Sequence, residues 1–564
     1  MPRWPLALLV VLASLLVPAA AGASGPPPGA NWFETYITAG DGTRLHVDVM
    51  RPAHLDETVK TPVVVTVSPY TNHSGDLAPN PANRGPSHRF YDFLEHTKAI
   101  ERGYTYVIVD LRGTGGSAGC QDWGGPGEQA DVEAAVEWAA TRSWSNGRVG
   151  LLGKSYDAWT GLMGIAQQPD GLAAVVAMEP VYSGYRYLYS DGVRYSNSVL
   201  TPLLFDGISS YPGTASDTPE YQVNGARGNV ERPGCPALSF LEQQEDRHDA
   251  PFWRDRDLVA KVRELRPRTP LFLTQGFLEG NTKPDGAFDL FAAMRGPKRA
   301  WFGQFEHVRG WEDTGRDPEP FVAELNRFLD RHLKGERVAE DAPVVVQQFD
   351  GRWREEEAWP PKAARAFETR LRPGTYRDEP QNEGTGGPGV GLWSFSQPLA
   401  RAAHLTGEPV LEARVTSSAP RANLVANVYD VDPEGHAVMI SRNAMLLRNP
   451  GAQRARLHLY GQDWVVERGH RIGVLLSGGN NEWWVHVPTF THVRVDAASI
   501  ALPFLRSPRR TFLEGGASDR ISRRLESHQE SGFDLDAETI AEAETAFAVP
   551  GSGSGRRPNA RRRG

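Results

Sequence analysis

The sequence predicts an α/β domain with an inserted, mostly helical cap, followed by a C-terminal β-sandwich. Three observations carry that prediction. Apolar runs without alternation, at 62–67, 104–109 and 149–152, are separated by helical stretches such as 129–141, which is how buried parallel strands and their crossover helices read. Between residues 182 and 265 this pattern breaks into Tyr-, Pro- and Gly-rich pieces with short helical fragments. Beyond Ala342 it gives way to short alternating strands at 410–415, 423–428, 455–459 and 471–476, with turn signals and no helix-length pattern between them.

In chain order, Arg3, the apolar run 6–17 and Ala21-Gly22-Ala23 have the form of a cleaved export signal over residues 1–23. The apolar run is too short to span a bilayer, which takes about 20 residues, and no later segment is apolar for long enough. Phe33-Glu34-Thr35-Tyr36-Ile37 alternates, turns at Asp41-Gly42 and resumes at 45–49, a β-hairpin. The α/β domain is expected over 32–181 and 266–338, closing with a strand at 269–274, another at 300–303 and a helix over 319–333. The cap occupies 182–265 and the sandwich 342–510. From residue 515 to 564 the chain is polar and ends in Gly551 to Gly555 and five arginines, a composition expected to be disordered.

With 564 residues, the chain is long enough for several cores. Its net charge of −8 gives no sequence-wide basic field, so nucleic acid is not an expected partner. The two cysteines, Cys120 and Cys235, could form one bridge in an exported protein; the alternative is two unpaired thiols. Closing such a loop contributes about 4–5 kcal/mol on the chain-entropy model. Two distant cysteines without histidine partners lack metal-ligand spacing, so no metal is expected.

Two serines lie in glycine-rich settings. Gly115-Gly116-Ser117-Ala118-Gly119 matches the literal G-x-S-x-G pattern, but Cys120-Gln121-Asp122-Trp123-Gly124-Gly125-Pro126 follows it and cannot be a helix. A nucleophile elbow needs a strand before the serine and a helix after it. Ser155 meets that condition: the strand 149–152 runs into Gly153-Lys154-Ser155-Tyr156, and 158–168 has helical spacing. This is the strand–turn–helix of an α/β-hydrolase. The loop at 113–118 also imitates a dinucleotide fingerprint, but its downstream acids lie inside a helix, so no cofactor is expected.

In this fold the triad runs Ser, then Asp or Glu, then His along the chain. Glu279 follows the strand 269–274 and His307 follows 300–303. Asp285 and Asp289 are the alternative acids. His307 would take the Ser155 proton and Glu279 would orient the imidazole. The backbone N–H of Tyr156 is one oxyanion donor by position. The strand 62–67 ends at Ser68-Pro69-Tyr70, which offers the Tyr70 hydroxyl as a second donor or a packing aromatic.

At these residues the chain resembles the Xaa-Pro dipeptidyl-peptidase and cocaine-esterase group of α/β-hydrolase serine hydrolases. The resemblance rests on Asp41-Gly42-Thr43-Arg44-Leu45, Pro69-Tyr70, Asp110-Leu111-Arg112-Gly113-Thr114-Gly115-Gly116-Ser117, Trp144-Ser145-Asn146-Gly147, Gly153-Lys154-Ser155-Tyr156, Gln275-Gly276, Asn281-Thr282-Lys283-Pro284 and His307. It implies a helical cap, a C-terminal jelly roll similar to galactose-binding domains, and an oxyanion hole made by Tyr70 and the Tyr156 amide. Glu279 stands where the group usually has Asp, and Asp157-Ala158 follow the elbow where it usually has smaller residues.

The activity the resemblance implies is removal of Xaa-Pro dipeptides from peptide N-termini by an exported enzyme. The alternative is hydrolysis of small acyl esters or amides, and a more distant one is non-catalytic carbohydrate or wall binding through the jelly roll. The cap residues Tyr185, Tyr187, Asp191 and Tyr195 are candidates for substrate contacts.

Overall fold

The computed structural model describes residues 25–73, 85–209, 217–230, 240–380, 391–480, 482–519, 532–543 and 547–551. The expected export signal (1–23) and Cys235 lie outside the described residues. Cys120 is disulfide-bonded.

The first domain is built on a ten-stranded sheet. Its strands are β1 (Ala30–Thr38), β2 (Arg44–Pro52), β3 (Thr61–Ser68), β4 (Thr105–Asp110), β5 (Ser145–Lys154) and β6 (Leu172–Met178). After the small cap hairpin β7 (Tyr189–Ser190) and β8 (Val193–Arg194), it continues with β9 (Leu271–Gly276), β10 (Lys298–Gly303), β11 (Val344–Gln347) and β12 (Trp353–Glu356). The spatial order is β1-β2-β4-β3-β5-β6-β9-β10-β11-β12, parallel from β4 to β11 with antiparallel pairs at each edge.

The central strands are apolar on both faces because helices cover both. Val63, Val65 and Val67 of β3 pack with Val132 and Leu162 on one side. Val64, between them, packs with Phe93, Tyr106 and Phe328 on the other. Side chains alternate across a strand, so a continuous β-branched run fills two cores at once.

The second domain is a sandwich. One sheet holds β13 (Ala364–Leu371), β14 (Gly374–Arg377), β16 (Ala403–Gly407), β17 (Val410–Ser417), β20 (Gly451–His458), β21 (Gln462–Val466) and β23 (His492–Leu505). The other holds β15 (Leu392–Phe395), β22 (Arg471–Ser477), β18 (Ala422–Val431), β19 (His436–Leu447) and β24 (Gly532–Asp534). In β17, Leu411, Ala413 and Val415 point into the shared core while the residues between them face out. In β18 both faces are buried, because Val425 packs with Val193 and Tyr195 of the cap.

Two expectations need correction. Residues 344–356 do not open the sandwich: β11 and β12 extend the first sheet, and Arg354 of β12 reaches across to Asp463 of β21 with two hydrogen bonds of 2.9 and 2.7 Å. A three-valine strand buried in a parallel sheet and a sandwich strand read alike over four residues.

The segment beyond 515 is not wholly loose either. Gly516 accepts from Gln347 and Trp353, β24 pairs with β19, and Phe547 and Val549 lie in the sandwich core. A few apolar residues spaced among many polar ones carry no periodic signal, yet they suffice once a preformed sheet receives them. The arginine-rich end lies outside the described residues. Among the described residues, no helix is long and apolar enough to cross a membrane.

Candidate active site

The strand order decides the site. Tyr70, Ser155, Glu279 and His307 follow β3, β5, β9 and β10, and with β6 these are five neighbouring parallel strands. All four residues therefore collect at one carboxyl edge, where α/β sheets place their ligands.

Ser155 lies between β5 and the helix Tyr156–Gln167, with φ 64° and ψ −123°. A non-glycine residue in that region is strained and persists only where its surroundings enforce it. Here the Ser155 N–H donates to the Met178 carbonyl at 2.9 Å, and the Ser155 carbonyl accepts from Trp159 to start the helix. Gly153 is required for the same turn, because a Cβ there would sit 2.2 Å from the Asp157 backbone. Tyr156, at the first helical position, has an N–H without an intrahelical acceptor, and its phenol donates to Glu128 at 2.7 Å.

His307 Nδ1 lies 2.6 Å from Glu279 Oε2. With Nδ1–H donating to the carboxylate, Nε2 is left as the basic nitrogen. Glu279 is buried and also accepts from the N–H groups of Asn281 and Thr282. Burial pushes its carboxyl upward, but His307 and these donors outweigh burial and hold it below the usual range. Burial lowers the His307 imidazole below its ordinary value, with Glu279 opposing the shift. The pair is thus a neutral base against an ionised acid. Phe277 N–H donates to Gly303 at 2.7 Å, joining the acid loop to the histidine loop.

Burial, reinforced by the Asp157 charge, raises the Tyr70 pKa far above the usual phenol range, and Ser155 beside its hydroxyl opposes the shift. The hydroxyl stays a protonated donor at any working pH. The Arg89 guanidinium lies 4.7 Å from the Tyr70 ring centroid and pairs with buried Asp157, the residue after Tyr156. Arg89 therefore links Asp157 to the Tyr70 ring. Phe205 of the cap lies against Tyr70 and Tyr156, at 6.0 and 4.9 Å between ring centroids.

The competing candidates fall elsewhere. Asp285 pairs with Arg186 and Asp289 with Arg263, not with His307. Ser117 is buried, donating to Asp110 O at 2.6 Å and accepting from His46 N–H at 2.8 Å. Of the four cap residues, Tyr187 meets the acid loop through Asn281, and the rings of Tyr187 and Tyr195 both face Lys283 Nζ, at 4.6 and 4.4 Å. Tyr185 bonds Asp246, the Asp191 carbonyl accepts from Leu446, and Tyr195 bonds Tyr460.

One residue escaped sequence reasoning. Glu179, immediately after β6, is buried with φ 48°, accepts from Gln275 and the Gly276 N–H, and lies beside Glu279. Burial and the neighbouring Glu279 charge push its carboxyl well above the usual range. The strand 172–178, an apolar run ending in an acid, was the signal.

Comparison with known proteins agrees with this layout. Residues 41–309 match the X-Pro dipeptidyl-peptidase (S15 family) model, and residues 336–520 match the X-Pro dipeptidyl-peptidase C-terminal non-catalytic domain. A Streptomyces avermitilis protein named "Putative Xaa-Pro dipeptidyl-peptidase" is 24% identical, over 93% of this chain and 88% of its own. Two crystal structures share the fold. An aminopeptidase from a marine sediment Thaumarchaeota archaeon superposes with TM-score 0.66 at 17% identity, covering 86% of this chain and 99% of its own. A CocE/NonD family hydrolase from Staphylococcus aureus gives 0.64 at 16%, covering 84% and 94%. The strand-edge serine, the two matched domains and these relatives together place the chain in the X-Pro dipeptidyl-peptidase (S15) family of serine hydrolases.

Proposed function

We propose that Ser155, His307 and Glu279 form the catalytic triad of an exported exopeptidase that releases Xaa-Pro dipeptides from peptide N-termini through an acyl-enzyme. The observation that carries the triad is the 2.6 Å His307–Glu279 contact at the same sheet edge as the strained Ser155.

Ser155 Oγ attacks the scissile carbonyl as His307 Nε2 takes its proton, and Glu279 stabilises the resulting imidazolium. The carbonyl oxygen becomes an oxyanion held by the Tyr70 hydroxyl and the Tyr156 N–H. Collapse breaks the C–N bond, with the His307 proton passing to the leaving amine. Water, deprotonated by His307, then attacks the acyl-Ser155 ester and frees the dipeptide acid.

The Xaa-Pro preference rests on the family and on relatives that align along most of the chain. Ester hydrolysis is the second reading, and one observation favours it. An aminopeptidase must capture a substrate ammonium, yet Asp157 and Asp285 already pair with Arg89 and Arg186.

Comparing Ala-Pro-p-nitroanilide with p-nitrophenyl butyrate, for wild type and Ser155→Ala, decides between the two. Anilide cleavage that disappears in Ser155→Ala supports the exopeptidase; ester turnover with no anilide cleavage sinks it. Export is part of the proposal, and protein recovered from the culture medium should begin at Ser24.

A further inference from the structure

A second constellation of ionisable side chains lies beneath the glycine-rich loop that carries Ser117. His46 of β2 and His73, three residues past Tyr70, are both buried, with ring centroids 5.0 Å apart. The two imidazoles are dressed alike. His46 Nδ1 lies 3.1 Å from Asp110 Oδ2, and its Nε2 lies 3.3 Å from Glu34 Oε2. His73 Nδ1 lies 2.7 Å from Asp217 Oδ1, and its Nε2 lies 3.1 Å from Asp48 Oδ2. Tyr221 of the cap stacks on His73 at 4.4 Å and closes the cluster from above.

Three features of this arrangement point to a cation. One ligand atom each from Glu34, His46 and His73 lies within 4.8 Å of the others. Ligands at zinc bond lengths in a tetrahedron stand about 3.3–3.4 Å apart; the His46–Glu34 pair is already at 3.3 Å, and the wider separations would close on binding. Each histidine holds Nδ1 against a carboxylate, Asp110 or Asp217, the arrangement that orients metal-bound imidazoles, and turns Nε2 toward Glu34 or Asp48, where the cation would take the place of a proton. Finally, four carboxylates, those of Glu34, Asp48, Asp110 and Asp217, face the two imidazoles. Glu34, whose side chain is 25% exposed, gives the route in.

We propose that Glu34, His46 and His73 bind one first-row divalent cation of the zinc class, with Asp110 and Asp217 orienting the two imidazoles. Two histidines and a carboxylate suit zinc better than calcium or magnesium. The site is separate from Ser155 and does not depend on the peptidase reading. Its ligands join β1, β2 and the loop after Tyr70, and Asp217 adds the cap. The cation would therefore fasten the cap segment and the Tyr70 loop to the sheet.

The test uses tag-free full chain stripped with dipicolinate, reloaded with Zn²⁺ or Co²⁺ and desalted. Metal analysis is expected to find one Zn²⁺ per chain, Co²⁺ to give visible d–d absorption, and Zn²⁺ to raise Tm. Glu34→Gln should abolish retention, and Asp217→Asn should weaken affinity about 10–100-fold. Both changes are near-isosteric, so the test stands if a histidine variant fails to fold. Wild type that keeps no Zn²⁺, or Zn²⁺ retained equally by wild type and Glu34→Gln, overturns the site.

Discussion

The loops around Ser117 and Ser155 share a composition and differ in almost everything else. At 113–119 the glycines fold the backbone over the Asp110 carboxylate, which accepts from the Gly116 N–H at 2.8 Å, and both hydrogen-bonding functions of Ser117 are spent on buried backbone groups. At 153–156 the backbone is strained, the helix N-terminus opens toward the serine, and the hydroxyl meets Tyr70. On the proposed reading, a nucleophile is made by the strand before it and the helix after it, while a serine fully satisfied by its own loop is structural.

That contrast can be broken or sharpened by experiment. Ser155→Ala should lower kcat by about 10⁶-fold, with Tm close to wild type. Glu279→Gln, which keeps shape but loses the charge facing His307, should cost about 10⁴-fold in kcat. Tyr70→Phe should cost about 10²–10³-fold, mainly in kcat; a change in KM alone would return Tyr70 to a packing role.

The pH profile should show one acid limb of tenfold per unit. His307 must be neutral to act, and its affinity for a proton is lowered, so the limb should lie below the ordinary histidine value of about 6.5. The same shift removes stability as pH falls below that value, because the unfolded imidazole takes up a proton that the folded one resists. A limb above 6.5 would contradict the burial argument. The smallest effect on activity belongs to Ser117→Ala: turnover within about twofold, with a lower Tm, since each orphaned buried group costs about 1–3 kcal/mol.

Much of this was legible from residues alone. Unbroken β-branched runs are rare except where both faces are buried, so the β3, β4 and β5 strands announced themselves, and the chain order of Ser155, Glu279 and His307 followed from strand ends. Glu179 was legible only as an acid at the end of an apolar run; its meaning depends on β6 lying beside β9, an adjacency that no local pattern records. β11 and β12 were not legible, because their sheet is chosen by Ala300 and Trp301 of β10 rather than by their own sequences. Phe547 and Val549 were hidden among polar neighbours until the sandwich supplied a core.

The sequence by itself determined where the chain turns from strand to helix, and with that the positions proposed for the elbow, the acid and the base. These are local matters, set by backbone preference and hydrophobic period. Only the tertiary structure decided which ionisable groups meet: Glu179 with Glu279, Arg89 with Asp157, and the carboxylates gathered around His46 and His73. Electrostatic interaction depends on distance and burial, and residues far apart along the chain acquire both only when the sheet is assembled.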